Sequence, residues 1–220
     1  MSMDWSDYQQ EAYYDYLANE FPKEMHEDSI RSYLGSNGDA IDARLNRLQG
    51  KAEELHRLSY YDDAVVNCAT AIEITIKYFC VKPIVEGAFL SELWATQLSK
   101  WIVDVRPADQ RRLLLGILKH WGIDIEAVEL TEGRALWGTV TGHVLPNRQE
   151  FVHCGGALGK EDSELALSSL KAMREEVVGK IGERFGFTLK TTGKWSRIVR
   201  ETETEGRSET RYTARDPFTS

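Results

Sequence analysis

The stretch from Asp63 to Cys80 constrains the fold of this chain more than any other part of the sequence. Apolar side chains occupy nearly every side of a helix drawn through it: Val65, Val66, Cys68, Ala69, Ala71, Ile72, Ile74, Ile76 and Phe79. A helix that is apolar all round is buried, either at the centre of its own domain or by a partner chain. Pro83 is expected to end this helix. Asn67, Glu73 and Lys77 interrupt the apolar run, so no membrane span is predicted.

Three further segments have the pattern of helices that bury one face. The first runs over 39–58, with apolar residues advancing by fours and threes, Asp39 available as its cap, and Ser36-Asn37-Gly38 as punctuation before it. The next runs over 131–154, with a kink or restart expected at Pro146 and a left-handed stop at Gly155 or Gly156. The last runs over 162–185, capped by Asp162 or Ser163 and ended by Gly186.

These segments divide the chain into one main domain and its appendages. Residues 1–36 are predicted to be an aromatic N-terminal helical extension, 37–186 a helical domain, and 187–220 a tail that is disordered or forms a hairpin from 195–203 and 207–214. A helical insertion is predicted at about 85–130, with one helix near 89–102 and another that Pro107 opens and Gly122 stops. Without the insertion, four helices remain, which predicts an all-α, up-and-down four-helix bundle.

The overall composition limits the classes of function. The net charge of -8 among 220 residues argues against a protein that coats nucleic acid by charge alone, so any contact with RNA should be focused on a small site. Cys68, Cys80 and Cys154 have no framework spacing, which indicates free thiols in a reducing compartment. The acidic N-terminus lacks a signal-peptide pattern, and a cytoplasmic protein is expected.

Chemistry is concentrated at the end of the third predicted helix, in Asn147-Arg148-Gln149-Glu150-Phe151-Val152-His153-Cys154-Gly155. This Arg-x4-His pattern before a glycine turn resembles the HEPN superfamily (higher eukaryotes and prokaryotes nucleotide-binding). The resemblance also takes in 61–73 and 162–166, and it covers roughly 39–185. It implies a metal-independent endoribonuclease that works as a dimer and leaves a 2′,3′-cyclic phosphate. Arg148 and His153 are then the catalytic candidates, with Asn147 and Gln149 as supporting polar neighbours; no cofactor or metal is implied.

The residue types suit that reaction. RNA cleavage without a metal needs a base for the 2′-hydroxyl proton, an acid for the leaving 5′-oxygen and positive charge on the phosphorane-like transition state. Histidine exchanges protons near neutral pH, and arginine can bind phosphate oxygens through two hydrogen bonds. Each residue turns an ideal α-helix by about 100°, so side chains five residues apart point about 140° away from each other. Arg148 and His153 therefore do not share a face. Either the helix ends between them or a second copy completes the site, and a homodimer is predicted.

Two alternatives remain beside the ribonuclease. In a purely structural interpretation, Arg148 pairs with Glu73 or Glu150, Glu73 pairs with Lys77 one turn along, and His153 belongs to the helix stop. One alternative function is a non-catalytic HEPN module that binds nucleotide or RNA, or that scaffolds an antitoxin or effector protein. The other is a purely structural helical subunit whose aromatic N-terminus and tail bind another protein. The ribonuclease interpretation places the protein in toxin and antitoxin control, stress response or defence against phage, as the resemblance implies.

Overall fold

The computed structural model describes residues 23, 25–88, 108–130, 133–189 and 195–197. Within this part of the chain there are five helices and one short hairpin. Helix α1 is Glu27–Arg57 and α3 is Ala108–His120. Helix α2 is continuous and has three parts: Tyr61–Thr75, a π-helical turn at Ile76–Val81, and Lys82–Gly87. Helix α4 comprises Leu136–Thr139, a π-helical turn at Val140–Val144, and Leu145–Cys154; α5 comprises Lys160–Ala172, a π-helical turn at Met173–Gly179, and Lys180–Phe185. The prediction of a helical chain is confirmed.

Side-chain contacts show how the helices run past one another. Near one end of the body, Tyr33 of α1 donates to the carbonyl of Tyr78 in α2. At the other end, His56 of α1 meets Ser163 of α5 at 2.9 Å. Leu158, between α4 and α5, donates its N–H to Asp62 in the first turn of α2. Helices α1 and α4 therefore run in one direction, and α2 and α5 in the other. The end where α1 and α4 finish and α2 and α5 begin is called the His153 end below.

Helix α2 lies at the centre, as its apolar composition predicts. Ala64, Cys68, Ala69, Ala71 and Ile72 have no exposed surface. The helix packs against α1, α4 and α5. Tyr61–Gly87 has the length and composition to cross a membrane, but 72% of its most apolar window is buried inside this helical body.

Several predicted boundaries are wrong. Helix α1 begins at Glu27 rather than Asp39, and it includes residues assigned to the N-terminal extension, because Ile30 and Leu34 are fully buried core residues. Pro83 does not end α2; a π-helical turn precedes it, and the helix continues to Gly87. In a π-turn the backbone hydrogen bonds are shifted by one residue, so the helix continues although Pro83 has no N–H to donate. The first three residues of the predicted insertion, 85–87, therefore belong to α2.

The other helix ends follow the predictions in part. Helix α4 begins at Leu136 rather than near Thr131, and α5 begins at Lys160, before both predicted caps. The stops are confirmed: Gly122, Gly155 and Gly186 have φ of 83°, 70° and 85°. The predicted helix at 89–102 and the N-terminal aromatic helix lie outside the described residues.

A hairpin after α5 closes one side of the body. Phe187–Leu189 pairs antiparallel with Trp195–Arg197, and the strand predicted at 207–214 lies outside the described residues. The Trp195 ring is buried and packs on Phe79 and Phe187, with ring centroids 5.1 and 5.2 Å apart. It also fills a notch at Gly38, so Ser36-Asn37-Gly38 is the interior of α1 and not a turn.

Candidate functional site

Arg148 and His153 both belong to the last part of α4, an uninterrupted α-helix over Leu145–Cys154. Pro146 lies in its first turn. The π-helical turn Val140–Val144 contains Gly142, whose carbonyl the proline ring would crowd, so the change in helical register falls just upstream, where a break was predicted. The helix ends only at Gly155, after both candidate residues. The sequence left two possibilities, that the helix ends between Arg148 and His153 or that a second copy completes the site. The first of these is therefore excluded.

The two candidate side chains have different surroundings. Arg148 is partly buried against α2, whereas His153 is exposed in the final turn of α4. Measured as a rotation about the helix axis from Arg148, the side chain of Val152 lies at about 40°, that of Gln149 at about 100° and that of His153 at about 140°. The Val152 side chain is 52% exposed and is one of three large hydrophobic side chains exposed among the described residues, with Leu58 and Tyr60. An exposed apolar residue thus lies on the arc between Arg148 and His153.

An ion pair within the chain holds Arg148. Its Nη1 lies 3.3 Å from Oε1 of Glu73 in α2, with the two side chains 30% and 35% exposed. Its Nε is buried without a hydrogen-bond partner among the described residues. Of the two carboxylates considered from the sequence, Glu73 is the partner. In the described part of the chain Lys77 forms no ion pair with Glu73; its Nζ instead lies 5.2 Å from the centroid of the Tyr78 ring.

The two supporting residues are separated by the helix. Asn147 faces α5, where its Nδ2 donates to Oδ1 of Asp162 at 3.1 Å. Nε2 of His143 lies 3.0 Å from the same carboxylate oxygen and 3.2 Å from Nδ2 of Asn147. Gln149 is exposed on the arc toward His153. Asn147 therefore joins α4 to α5, and only Gln149 lies on the side of the two catalytic candidates.

His143 and Asp162 form a histidine–aspartate pair that was not predicted from the sequence. The pair lies beside a cavity of about 750 Å³ that Arg134, Leu165 and Ser168 also line. The two residues belong to different helices, so their spacing in the sequence gives no sign of contact. The sequence does place His143 and Asn147 four residues apart, on one side of a helix, and this spacing was the signal that the two side chains could contact a common partner.

Polar contacts hold the chain on both sides of His153. The Leu145–Cys154 segment has no buried residue. After it, the N–H of Leu158 donates to Oδ1 of Asp62 at 2.5 Å, and that of Gly159 donates to Oδ2 of Asp162 at 2.8 Å. Asp162 was predicted to cap α5 as its first residue, but it occupies the third helical position and reaches back to Gly159. The Arg148–Glu73 ion pair and these hydrogen bonds therefore help to fix the candidate helix and the chain after it to α2 and α5.

Titratable and metal-binding groups add little elsewhere. Burial raises the pKa of Cys68 and of Cys80 to about 12, whereas Cys154 is exposed. All three cysteines are free, as predicted. No cluster of three or more His, Cys, Asp or Glu side chains suited to a metal ion occurs in the described residues.

Comparison with known proteins gives no family for this chain. No family model, no curated protein and no solved structure matches it.

Proposed function

We propose that this protein is a metal-independent endoribonuclease of the HEPN type that acts as a homodimer with a composite Arg/His site. The proposal includes the fold, a HEPN-like up-and-down four-helix bundle of α1, α2, α4 and α5. The alternating directions of these helices support that arrangement. The position of Arg148 and His153 at the end of its third helix, before a left-handed glycine, supports the assignment of the site. Toxin and antitoxin control, stress response or defence against phage is the proposed setting.

The reaction requires more groups than one chain supplies at this site. A base removes the proton of the ribose 2′-hydroxyl, whose oxygen attacks the adjacent phosphorus, while an acid protonates the departing 5′-oxygen. The product is a 2′,3′-cyclic phosphate and a free 5′-hydroxyl. Two copies of His153 provide the base and the acid, and Arg148 stabilises the charge on the phosphorane-like transition state.

The observation that carries the proposal is the arc of α4 between Arg148 and His153. Because the helix is continuous, the two side chains lie about 140° apart and a single chain does not bring them onto one face. The arc carries the exposed side chains of Gln149 and Val152, and Val152 is an apolar residue that a second copy would cover. Two copies packed across this arc bring both histidines and both arginines to one cleft.

One contact favours a second function, a non-catalytic module that binds RNA or nucleotide or scaffolds a protein partner. Arg148 is paired with Glu73, and an ion pair of this kind gives the arginine a structural role that requires no substrate. His153 has no such partner among the described residues, so the two functions differ in whether His153 is required for RNA cleavage.

Cleavage of RNA in the presence of EDTA tests the proposal. We expect the wild-type protein to cut, and Arg148→Ala and His153→Ala each to lower the rate by about 10²-fold or more. His120→Ala is the matched control, because His120 is also an exposed histidine in the final turn of its helix, two residues before a left-handed glycine. Equal cutting by all four proteins would refute the site. Binding of RNA without cleavage would support the non-catalytic module.

The dimer is tested at Val152. A carboxylate at this position places an unpaired charge in the proposed contact, so Val152→Asp should give a monomer by light scattering and should lose cleavage. Ala135→Asp is the control: Ala135 is also exposed, but it lies just before α4 begins, at the opposite end of that helix from the His153 end. A Val152→Asp protein that stays dimeric and cuts RNA would show that the second copy does not pack across this arc.

A further inference from the structure

Glu73 contacts one cation on a neighbouring helix and has another four residues further along its own helix. Its carboxylate now contacts Arg148 of α4 at 3.3 Å. Lys77 lies one turn further along α2, a spacing at which a glutamate and a lysine pair on a helix surface. The Lys77 side chain is exposed and, among the described residues, takes no carboxylate partner. Glu73 therefore has one partner in the structure and a second cation four residues further along its own helix.

The pair with Glu73 opposes the role proposed for Arg148. An arginine binds a phosphate most strongly with two parallel N–H groups, and Glu73 occupies one of the terminal nitrogens of this guanidinium. A phosphate that approaches Arg148 also meets the negative charge of Glu73 directly beside it. Repulsion of this kind weakens RNA binding unless the carboxylate is neutralised by another cation.

We propose that Glu73 is an affinity switch, whose carboxylate leaves Arg148 for Lys77 when RNA phosphate binds. This inference rests on the proposed function, and it adds the regulation of the same site. In the free protein Glu73 shields Arg148, which would otherwise be a partly buried cation without a partner. In the RNA complex, Lys77 neutralises Glu73, and the full guanidinium turns to the phosphate.

The switch predicts a pattern among three variants that a simple structural ion pair does not produce. Glu73→Gln removes the competing charge, so RNA should bind about 2- to 5-fold more tightly, the range expected from a partly exposed ion pair. Lys77→Ala removes the alternative partner and should weaken binding by a similar factor. In the Glu73→Gln/Lys77→Ala double variant, the lysine no longer has a carboxylate to neutralise, so its loss should have no further effect.

The experiment is a fluorescence binding titration with a single-stranded RNA oligonucleotide, made in the His153→Ala background so that the RNA stays intact. Lys51→Ala is the control, because Lys51 is an exposed lysine on α1, outside the α2–α4 contact. Weaker binding by Glu73→Gln would overturn the switch and make Glu73 a positioning residue for Arg148. An equal loss from Lys77→Ala with and without Glu73 would also overturn it, since Lys77 would then bind phosphate itself.

Failure of the switch and failure of the proposed function are distinguishable. If Arg148→Ala and His153→Ala abolish cleavage while Glu73→Gln leaves RNA affinity unchanged, the ribonuclease stands and the switch is wrong. If the wild-type protein neither cuts nor binds RNA, the proposed function fails first, and the switch fails with it.

Discussion

Gly38 provides the sharpest test of the packing that holds the tail onto the helices. A Cβ atom at this position would lie 2.4, 2.6 and 2.9 Å from Nε1, Cε2 and Cδ1 of Trp195. Carbon atoms in ordinary contact are about 3.5–4.0 Å apart, so the overlap is about 1 Å. The ring has little freedom to retreat, because Phe79 and Phe187 lie against it and a Cβ at Gly182 would already be 3.3 Å from it. Gly38→Ala should therefore destabilise the protein.

The magnitude follows from two opposed effects. Overpacking a filled core costs about 1–3 kcal/mol. Replacing glycine by alanine inside a helix returns about 1 kcal/mol. Gly50→Ala is the matched control, since Gly50 lies in the same helix and its Cβ would have no atom of the described residues within 4 Å. Gly50→Ala should raise the free energy of unfolding by about 1 kcal/mol, and the two variants should differ by the overpacking cost alone, about 1–3 kcal/mol.

Thermal and urea unfolding measure this difference directly. For a chain of this size, each kcal/mol shifts the Tm by about 2–4 °C, so Gly38→Ala should melt several degrees below Gly50→Ala. Adding Trp195→Leu should remove most of the penalty of Gly38→Ala, because the smaller side chain leaves room for the methyl group. If Gly38→Ala is as stable as Gly50→Ala, the hairpin does not pack on α1 as described.

Two other predictions concern buried titratable groups. Burial raises the pKa of Asp42 above its ordinary 3.8, although Arg174 opposes this shift. Protonated Asp42 therefore stabilises the folded state fully below pH 3.8, and this stability is lost as the pH rises through the pKa of Asp42 in the folded protein. Asp42→Asn should remove this dependence in urea unfolding at a series of pH values, and an unchanged profile would contradict it. Because Cys68 and Cys80 are buried with pKa values of about 12, a thiol reagent should modify only Cys154 in the native protein and nothing in Cys154→Ser; a second fast-reacting native thiol would contradict this.

The candidate site shows how far local sequence extends. Arg148, His153 and the glycine stop are close in the chain, and the geometry of one helix places them without reference to any other segment. Their partners lie far away in sequence: Glu73 in α2 for Arg148, and Asp162 in α5 for Asn147 and His143. The sequence offered two carboxylates for Arg148 and one lysine for Glu73, and it contained no information to choose among them. That choice depends on which helices are neighbours and on how each is rotated about its axis.

The sequence by itself determined the helical class, the central position of α2 and the three glycine stops. These follow from the period of apolar residues and from a backbone conformation that glycine adopts without strain, and both are local properties. Tertiary structure decided where α1 begins and what Gly38 is for. Each depends on contacts between distant segments: Ile30 and Leu34 are helical core because neighbouring helices cover them, and Gly38 is small because Trp195 fills the space above it. The residues on the two sides of such contacts lie far apart in the sequence, so local patterns do not specify how they pack.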